Sequence, residues 1–290
     1  MTQTYGTTWL VANAASGSND DAALEAVRAG LASAGTRPAR EMEVVEAAKL
    51  SAADLDAAGV DLLVVFAGDG TINSTLIAVE GWQGKVLLLP GGTTNLLARA
   101  LHGDDCTAES VLIGLAEGRL QPSRRSAIVY TDPSGTEVKA LCEILAGPGA
   151  TWSTVREEMR EGTLRTVAES AIDAARQSND DASQIRLTEP AMGNEAGYSG
   201  VRLVPENEAI VVDGYGAQTA AEYLQQGIAL LRRNFRDGPH DELGGHPAVT
   251  CASIDGQEMA VMVDGEQLCA PGTVRFSLAP IHLDLLAMSE

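Results

Sequence analysis

Leu62-Leu-Val-Val-Phe66-Ala67-Gly68-Asp69-Gly70-Thr71-Ile72-Asn73 is the stretch on which the fold turns. Five apolar residues run straight into a glycine-bearing turn, and a helical pattern follows. A short apolar run bounded by turn residues reads as a strand buried on both faces, the kind a parallel sheet needs. Glycines 68 and 70 let the chain turn sharply and bring backbone N–H groups close to a ligand. A helix starting around Thr71 or Ile72 offers its positive end to the same place, which suits a phosphate. Asp69, inside the turn, can face a metal, a ribose or a hydroxyl. The plainer alternative is a strand-to-helix turn in which Asp69 only caps the helix.

Outward from this stretch the same grammar repeats. Val86 to Leu89 is a second apolar strand, followed by Pro90-Gly91-Gly92-Thr93-Thr94-Asn95 and the helical run Leu96 to Leu101. Trp9 to Ala12 is a candidate first strand, ending in the small, polar turn Asn13-Ala14-Ala15-Ser16-Gly17. Asp20 to Ala34 carries Leu24, Val27 and Leu31 at helical spacing, and Glu43 to Val45 is a candidate second strand. Ser51 to Ala58 reads as a short helix with Ser51 as N-cap and Asp54 at the capping-box position. Strands alternating with helices imply βαβ units and a parallel sheet. Turns at the carboxyl ends of successive parallel strands share one edge, where open α/β sheets bind ligands. Three such turns point to a nucleotide or another phosphate ligand. Neither the dinucleotide fingerprint nor the P-loop sequence is present.

After Pro122 the pattern changes. Short strand candidates are Ala127 to Tyr130, Val138 to Ile144, Gln184 to Thr188, Val201 to Val204 and Ala209 to Val212. Ala248 to Ile254, Met259 to Val263 and Thr273 to Leu278 continue the series, separated by turns such as Asp255-Gly256. That predicts an antiparallel sandwich. A helical insertion near 153–177 carries one apolar stripe of Leu164, Val167, Ala168, Ala171, Ile172 and Ala175. The expected fold is therefore α/β plus β. A doubly wound α/β nucleotide-binding domain covers 1–122, and an antiparallel β-sandwich domain covers 123–290, its last residues packing back on the first domain. Gly238 to Pro247 reads as an exposed polar loop. His240 and His246 within it match no usual metal-ligand spacing. In Val263-Asp264-Gly265-Glu266 two carboxylates flank a glycine, which suits a general base with a partner, although spacing alone favours a hairpin turn.

Composition narrows the classes. Forty acidic residues against 20 lysines and arginines give a net charge of −20 over 290 residues. Such a chain repels nucleic acid and approaches anionic membranes poorly. No apolar run nears the roughly 20 residues of a membrane-spanning helix. The N-terminus lacks the basic start of a signal peptide, so the expected compartment is cytoplasmic. Cys106, Cys142, Cys251 and Cys269 are scattered without a C-x-x-C pair, indicating neither zinc nor a disulfide framework.

Gly68-Asp69-Gly70-Thr71-x-Asn73, then Pro90-x-Gly92-Thr93-x-Asn95 followed by Ala98-Arg99, then Val263-Asp264-Gly265-Glu266 resemble the diacylglycerol kinase catalytic family. That family includes bacterial soluble lipid kinases and the sphingosine and ceramide kinases. The resemblance implies an ATP- and magnesium-dependent kinase acting on a lipid hydroxyl of the diacylglycerol or sphingoid class. Ala67, Gly68, Asp69, Gly70, Thr71, Ile72 and Asn73 would wrap the ATP phosphates. Gly92, Thr93 and Asn95 would complete the nucleotide site, with Asn13, Ser16 and Gly17 on its other wall. Glu266 would accept the hydroxyl proton, Asp264 would orient it, and Asp69 would serve the nucleotide or its magnesium. The Asp213 carboxylate, with the Ile210 and Tyr215 backbone carbonyls, would hold a structural magnesium. The implied partner is a lipid, with transient membrane contact, and a two-fold homodimer is the default assembly.

The sequence departs from that family at Ala67, where glycine is usual, and at Ser74, where an acid is common. Leu145-Ala-Gly-Pro-Gly-Ala-Thr-Trp152 stands in place of the usual acceptor segment. These departures keep open a nucleotide-binding regulatory protein without turnover. An NAD kinase shares the Gly-Asp-Gly-Thr loop, but the Asp-Gly-Glu motif favours the lipid kinases.

Overall fold

The computed structural model describes residues 5–12, 21–47, 49–92, 94–148, 184–206, 208–216 and 240–289. The chain divides into two units, Met1–Arg125 with Pro280–Glu290, and Ser126–Ala279.

The first unit opens with β1 (Thr7–Ala12), α1 (Asp21–Ser33), β2 (Pro38–Glu43), α2 (Val44–Ala47), α3 (Ala52–Ala57) and β3 (Val60–Ala67). It continues with α4 (Asp69–Ala78), β4 (Lys85–Pro90), α5 (Leu96–His102), α6 (Ala108–Ala116) and β5 (Leu120–Ser123). Strands β2, β1, β3 and β4 lie side by side and parallel, as the apolar runs demand. One sheet face, carrying Leu10, Leu62, Val64, Phe66, Leu87 and Leu89, packs on Val27 and Leu31 of α1 and on Val111, Leu112 and Leu115 of α6. At α3 both arms of the capping box form, with the Ser51 side chain accepting the Asp54 amide and Asp54 reaching back. The expected strand at Glu43 to Val45 is corrected. Pro38–Glu43 is the strand and Val44 already begins a helix. As an edge strand with Met42 its one fully buried residue, β2 has no apolar alternation to read.

The second unit comprises β6 (Ser126–Thr131), β7 (Glu137–Ala140), β8 (Ile144–Ala146), β9 (Ile185–Glu189), β10 (Ala191–Met192) and β11 (Gly200–Glu206). β12 (Ala209–Tyr215), β13 (Asp241–His246), β14 (Ala248–Ser253), β15 (Met259–Val263), β16 (Glu266–Ala270) and β17 (Thr273–Pro280) complete it. One sheet runs β10-β9-β14-β17-β6-β7 and the other β13-β12-β11-β8-β15-β16. A single core joins them. Ile128, Leu187, Val249 and Phe276 of one sheet share it with Ile144, Leu203, Val212 and Val261 of the other.

Two expectations change here. Val138 to Ile144 is not one strand, because β7 lies in one sheet and β8 in the other, with Leu141-Cys142-Glu143 as the crossing. The Gly238–Pro247 loop contains β13, which pairs antiparallel with β12. Its Asp-Glu-Leu-Gly-Gly-His sequence hides the strand, since of its residues only Leu243 packs on the core. The helical insertion near 153–177 lies outside the described residues.

The chain's last strand, β18 (Asp284–Met288), returns to the first unit and sits between β4 and β5, parallel to β4 and antiparallel to β5.

Candidate functional site

The two glycine turns leave adjacent parallel strands and touch. Ala67 pairs with Pro90 at the end of the ladder, and its carbonyl accepts the Gly91 amide at 3.1 Å. The Ala67 methyl is fully buried within the protein, which explains how alanine is accommodated there. A Cβ on Gly92 would sit 2.5 Å from the Gly68 Cα, closer than non-bonded carbons approach. Glycine at 92 is therefore what permits the two backbones to meet. The second turn is closed on itself. The Gly92 amide donates to Asn95 Oδ1 at 2.8 Å and Asn95 Nδ2 donates to the Gly92 carbonyl at 2.9 Å. Asn95 adopts the left-handed conformation, φ 54°, that asparagine tolerates better than most residues.

Asp69 ties one turn to the other. It is the first residue of α4, yet its carboxylate accepts the Leu96 amide at 2.6 Å and caps α5. Burial pushes the Asp69 carboxyl above the usual carboxylate range, while the amides of Leu96, Asn95 and Leu97 pull it back. Asp69 thus caps a helix, but the next one rather than its own. Within α4 the Ile72 amide donates to the Gly68 carbonyl at 3.0 Å. The first-turn amides of Gly70 and Thr71 have no carbonyl one turn earlier to accept them, so they are donors for an anion. Ile72 is fully buried and anchors the helix, leaving only its backbone for a ligand. Beside the second turn lies a pocket of about 700 Å³, walled by Phe66, Pro90, Gly91 and Gly92, with Val27 of α1 and Leu112 of α6 opposite. Its volume is that of a small-molecule site. These features fit a phosphate-bearing ligand. Asn13, Ser16, Gly17 and Thr93 lie outside the described residues.

In the second unit the Asp264-Gly265 pair forms a two-residue hairpin between β15 and β16, with Val263 opposite Glu266. Both residues have positive φ, 49° and 94°, the combination of a type I′ turn. The turn reading and the carboxylate pair therefore coexist. Asp264 is buried and accepts the amides of Leu141, Cys142 and Glu143 at 2.6, 2.8 and 2.9 Å. Its own amide donates to the Glu143 carbonyl at 3.0 Å. Burial pushes this carboxyl up to about 6 against the pull of the three amides. Asp264 thus fixes the crossing between sheets, and Glu266, next along, is exposed.

The residues expected to hold a structural magnesium do not fit one. Asp213 lies within β12 and faces the Arg202 guanidinium, with Nη1 to Oδ2 at 3.2 Å. The Tyr215 carbonyl already accepts the Ser199 amide at 2.9 Å and the Ser199 hydroxyl at 2.8 Å. Ile210 is paired in the ladder on both sides, with Pro205 and His246. Among the described residues no group of three or more His, Cys, Asp and Glu could hold a metal ion. Sequence reasoning missed Arg202. Its one legible signal is a lone cation in the apolar strand Val201-Arg202-Leu203-Val204.

Residues 7–125 match the family model described as the diacylglycerol kinase catalytic domain. This region is similar to that family's catalytic domain. The match supports a kinase, and the region holds both glycine turns. A solved structure of a diacylglycerol kinase from Bacillus anthracis str. Sterne aligns with a TM-score of 0.63 at 15% identity, covering 98% of each chain. Two further structures from the same organism align at a TM-score of 0.62, with 15% and 16% identity. They cover 98% and 99% of this chain and 98% and 97% of their own. At such identities the likeness is one of fold, and it spans the sandwich as well as the family-matched region. The comparison with curated proteins finds no match.

Proposed function

We propose that this diacylglycerol kinase-like protein transfers the γ-phosphate of ATP to a lipid hydroxyl of the diacylglycerol or sphingoid class. The observation that carries the reading is the contact of the two glycine turns, locked by Asp69 onto α5, at the N-terminus of α4. Phosphoryl transfer asks a protein chiefly for positioning and charge neutralisation, which rigid backbone donors supply. In this proposal Gly68 to Asn73 hold the phosphates, Gly92, Thr93 and Asn95 close the nucleotide site, and Asn13, Ser16 and Gly17 flank it. Magnesium enters with ATP as part of the substrate, screening phosphate charge. Glu266 takes the proton of the attacking hydroxyl, and Asp264 holds the hairpin that presents it. The lipid meets the protein through transient membrane contact.

Transfer of labelled γ-phosphate from ATP to mixed micelles of diacylglycerol, monoacylglycerol, sphingosine and ceramide, with NAD alongside, tests this. Label in one lipid, lost by at least about 100-fold in Glu266→Gln with ATP affinity retained, is the expected result for a general base. Label in NAD alone, or none in protein that binds ATP, would overturn it.

A further inference from the structure

We infer that Arg202 is the built-in cation of the second unit, taking the charge role at Asp213 that a structural magnesium would otherwise fill and fastening Asp213 to Glu143. The register sets the geometry. Arg202 on β11 lies directly opposite Asp213 on β12 and opposite Leu145 on β8. Glu143 ends the crossing immediately before β8, within reach of the Arg202 guanidinium. The guanidinium reaches both acids, with Nε to Glu143 Oε2 at 2.8 Å and Nη1 to Asp213 Oδ2 at 3.2 Å. All three side chains are largely buried, 12% exposed for Arg202, 13% for Asp213 and 21% for Glu143. A third acid, the exposed Glu242 of β13, stands opposite Asp213 in register. One guanidinium therefore separates acids that would repel each other across the strands.

A magnesium ion requires near-octahedral oxygen ligation. At Asp213 it would lie beside a cation that cannot lose its proton. Its other expected ligand, the Tyr215 carbonyl, already accepts two hydrogen bonds from Ser199. The same cation reaches the hairpin. The Glu143 amide donates to the Asp264 carboxylate at 2.9 Å, and its carbonyl accepts the Asp264 amide at 3.0 Å. Arg202 is thus a positioning residue for the Asp264-Gly265 turn. The inference is independent of the kinase reading, since folding and not transfer reports it.

Thermal unfolding of the full chain without nucleotide tests the inference, comparing millimolar magnesium with EDTA at matched ionic strength. Wild type and Asp213→Asn should respond to magnesium alike, within about 1 °C. A magnesium stabilisation of several degrees that Asp213→Asn abolishes would overturn the inference. Arg202→Met should lower the midpoint by about 10 °C, because it leaves buried acids uncompensated. Arg202→Lys should restore part of the loss. A midpoint for Arg202→Met within about 2 °C of wild type would also overturn it. If Arg202→Met does not fold, the wild-type and Asp213→Asn comparison decides the matter unaided.

Discussion

The Asp69 carboxylate accepts the Leu96 amide at 2.6 Å, so removing it acts on two turns at once. The sequence offers Asp69 as a cap for its own helix, and the structure makes it the cap of α5. Asp69→Ala should cost about 1–2 kcal/mol, the usual worth of a helix cap, and abolish transfer. Urea unfolding beside the kinase assay measures both, and unchanged stability would remove the cap. His102 of α5 offers a second test. Its Nε2 meets the Leu88 carbonyl at 3.0 Å, and burial lowers its pKa to about 4. Unfolded, it titrates near 6.5, so between these values the unfolded state binds more protons and stability falls on acidification. The loss from pH 7 to 5 should be about 2 kcal/mol, and His102→Gln, which keeps a donor for Leu88, should remove it. Asp264 works in the opposite sense. Its folded pKa of about 6 exceeds the unfolded 3.8, so the folded state holds the extra proton in that window and acidification stabilises. Equal acid loss in wild type and His102→Gln would contradict the assignment to His102.

At the scale of elements, legibility follows burial. β3 and β4 read directly because nearly every residue between Leu62 and Leu89 that belongs to a strand is apolar and buried. β2 and β13 do not, because each places one residue on its core and leaves the rest exposed or half-buried. The split between β7 and β8 is also illegible, since the three amides at the crossing are satisfied by Asp264, more than a hundred residues away. The same holds for the site. The glycine turns are visible in sequence, but not the Asp69 link between them or Arg202 between two acids. Their contact predicts the effect of Gly92→Ala. Its Cβ would lie 2.5 Å from the Gly68 Cα, so the turns must part. The nearest atom is backbone, so no flexible side chain can yield to relieve it. ATP affinity should fall by at least about tenfold, with far less effect on the second unit. Fluorescent-nucleotide titration reads this, and wild-type affinity would separate the turn contact from binding.

At the scale of the molecule, the first unit is discontinuous and closes only with the far end of the chain. Asp284-Leu-Leu-Ala-Met288 shows no alternation to give the register from sequence, but the ladders give it. Asp284 and Leu285 pair with Lys85 and Val86 of β4, and Leu285 to Met288 pair with Ser123 to Leu120 of β5. Leu285 and Leu286 are fully buried. A chain ending at Ala279 keeps the segment Ser126–Ala279 whole while stripping β4 of a neighbour and cutting β5 from its sheet. An exposed, apolar strand edge invites aggregation. The truncated chain should therefore lose ATP binding and present its first unit to protease. The segment from Ser126 onward should persist as the resistant fragment, with its own core. Leu286→Ala in the full chain is the milder form, expected to cost about 2–5 kcal/mol for a buried leucine. Limited proteolysis with mass spectrometry distinguishes the outcomes. Equal protection of residues 5–125 in the truncated and full chains would mean that β18 is an ornament on the sheet and not its closing strand.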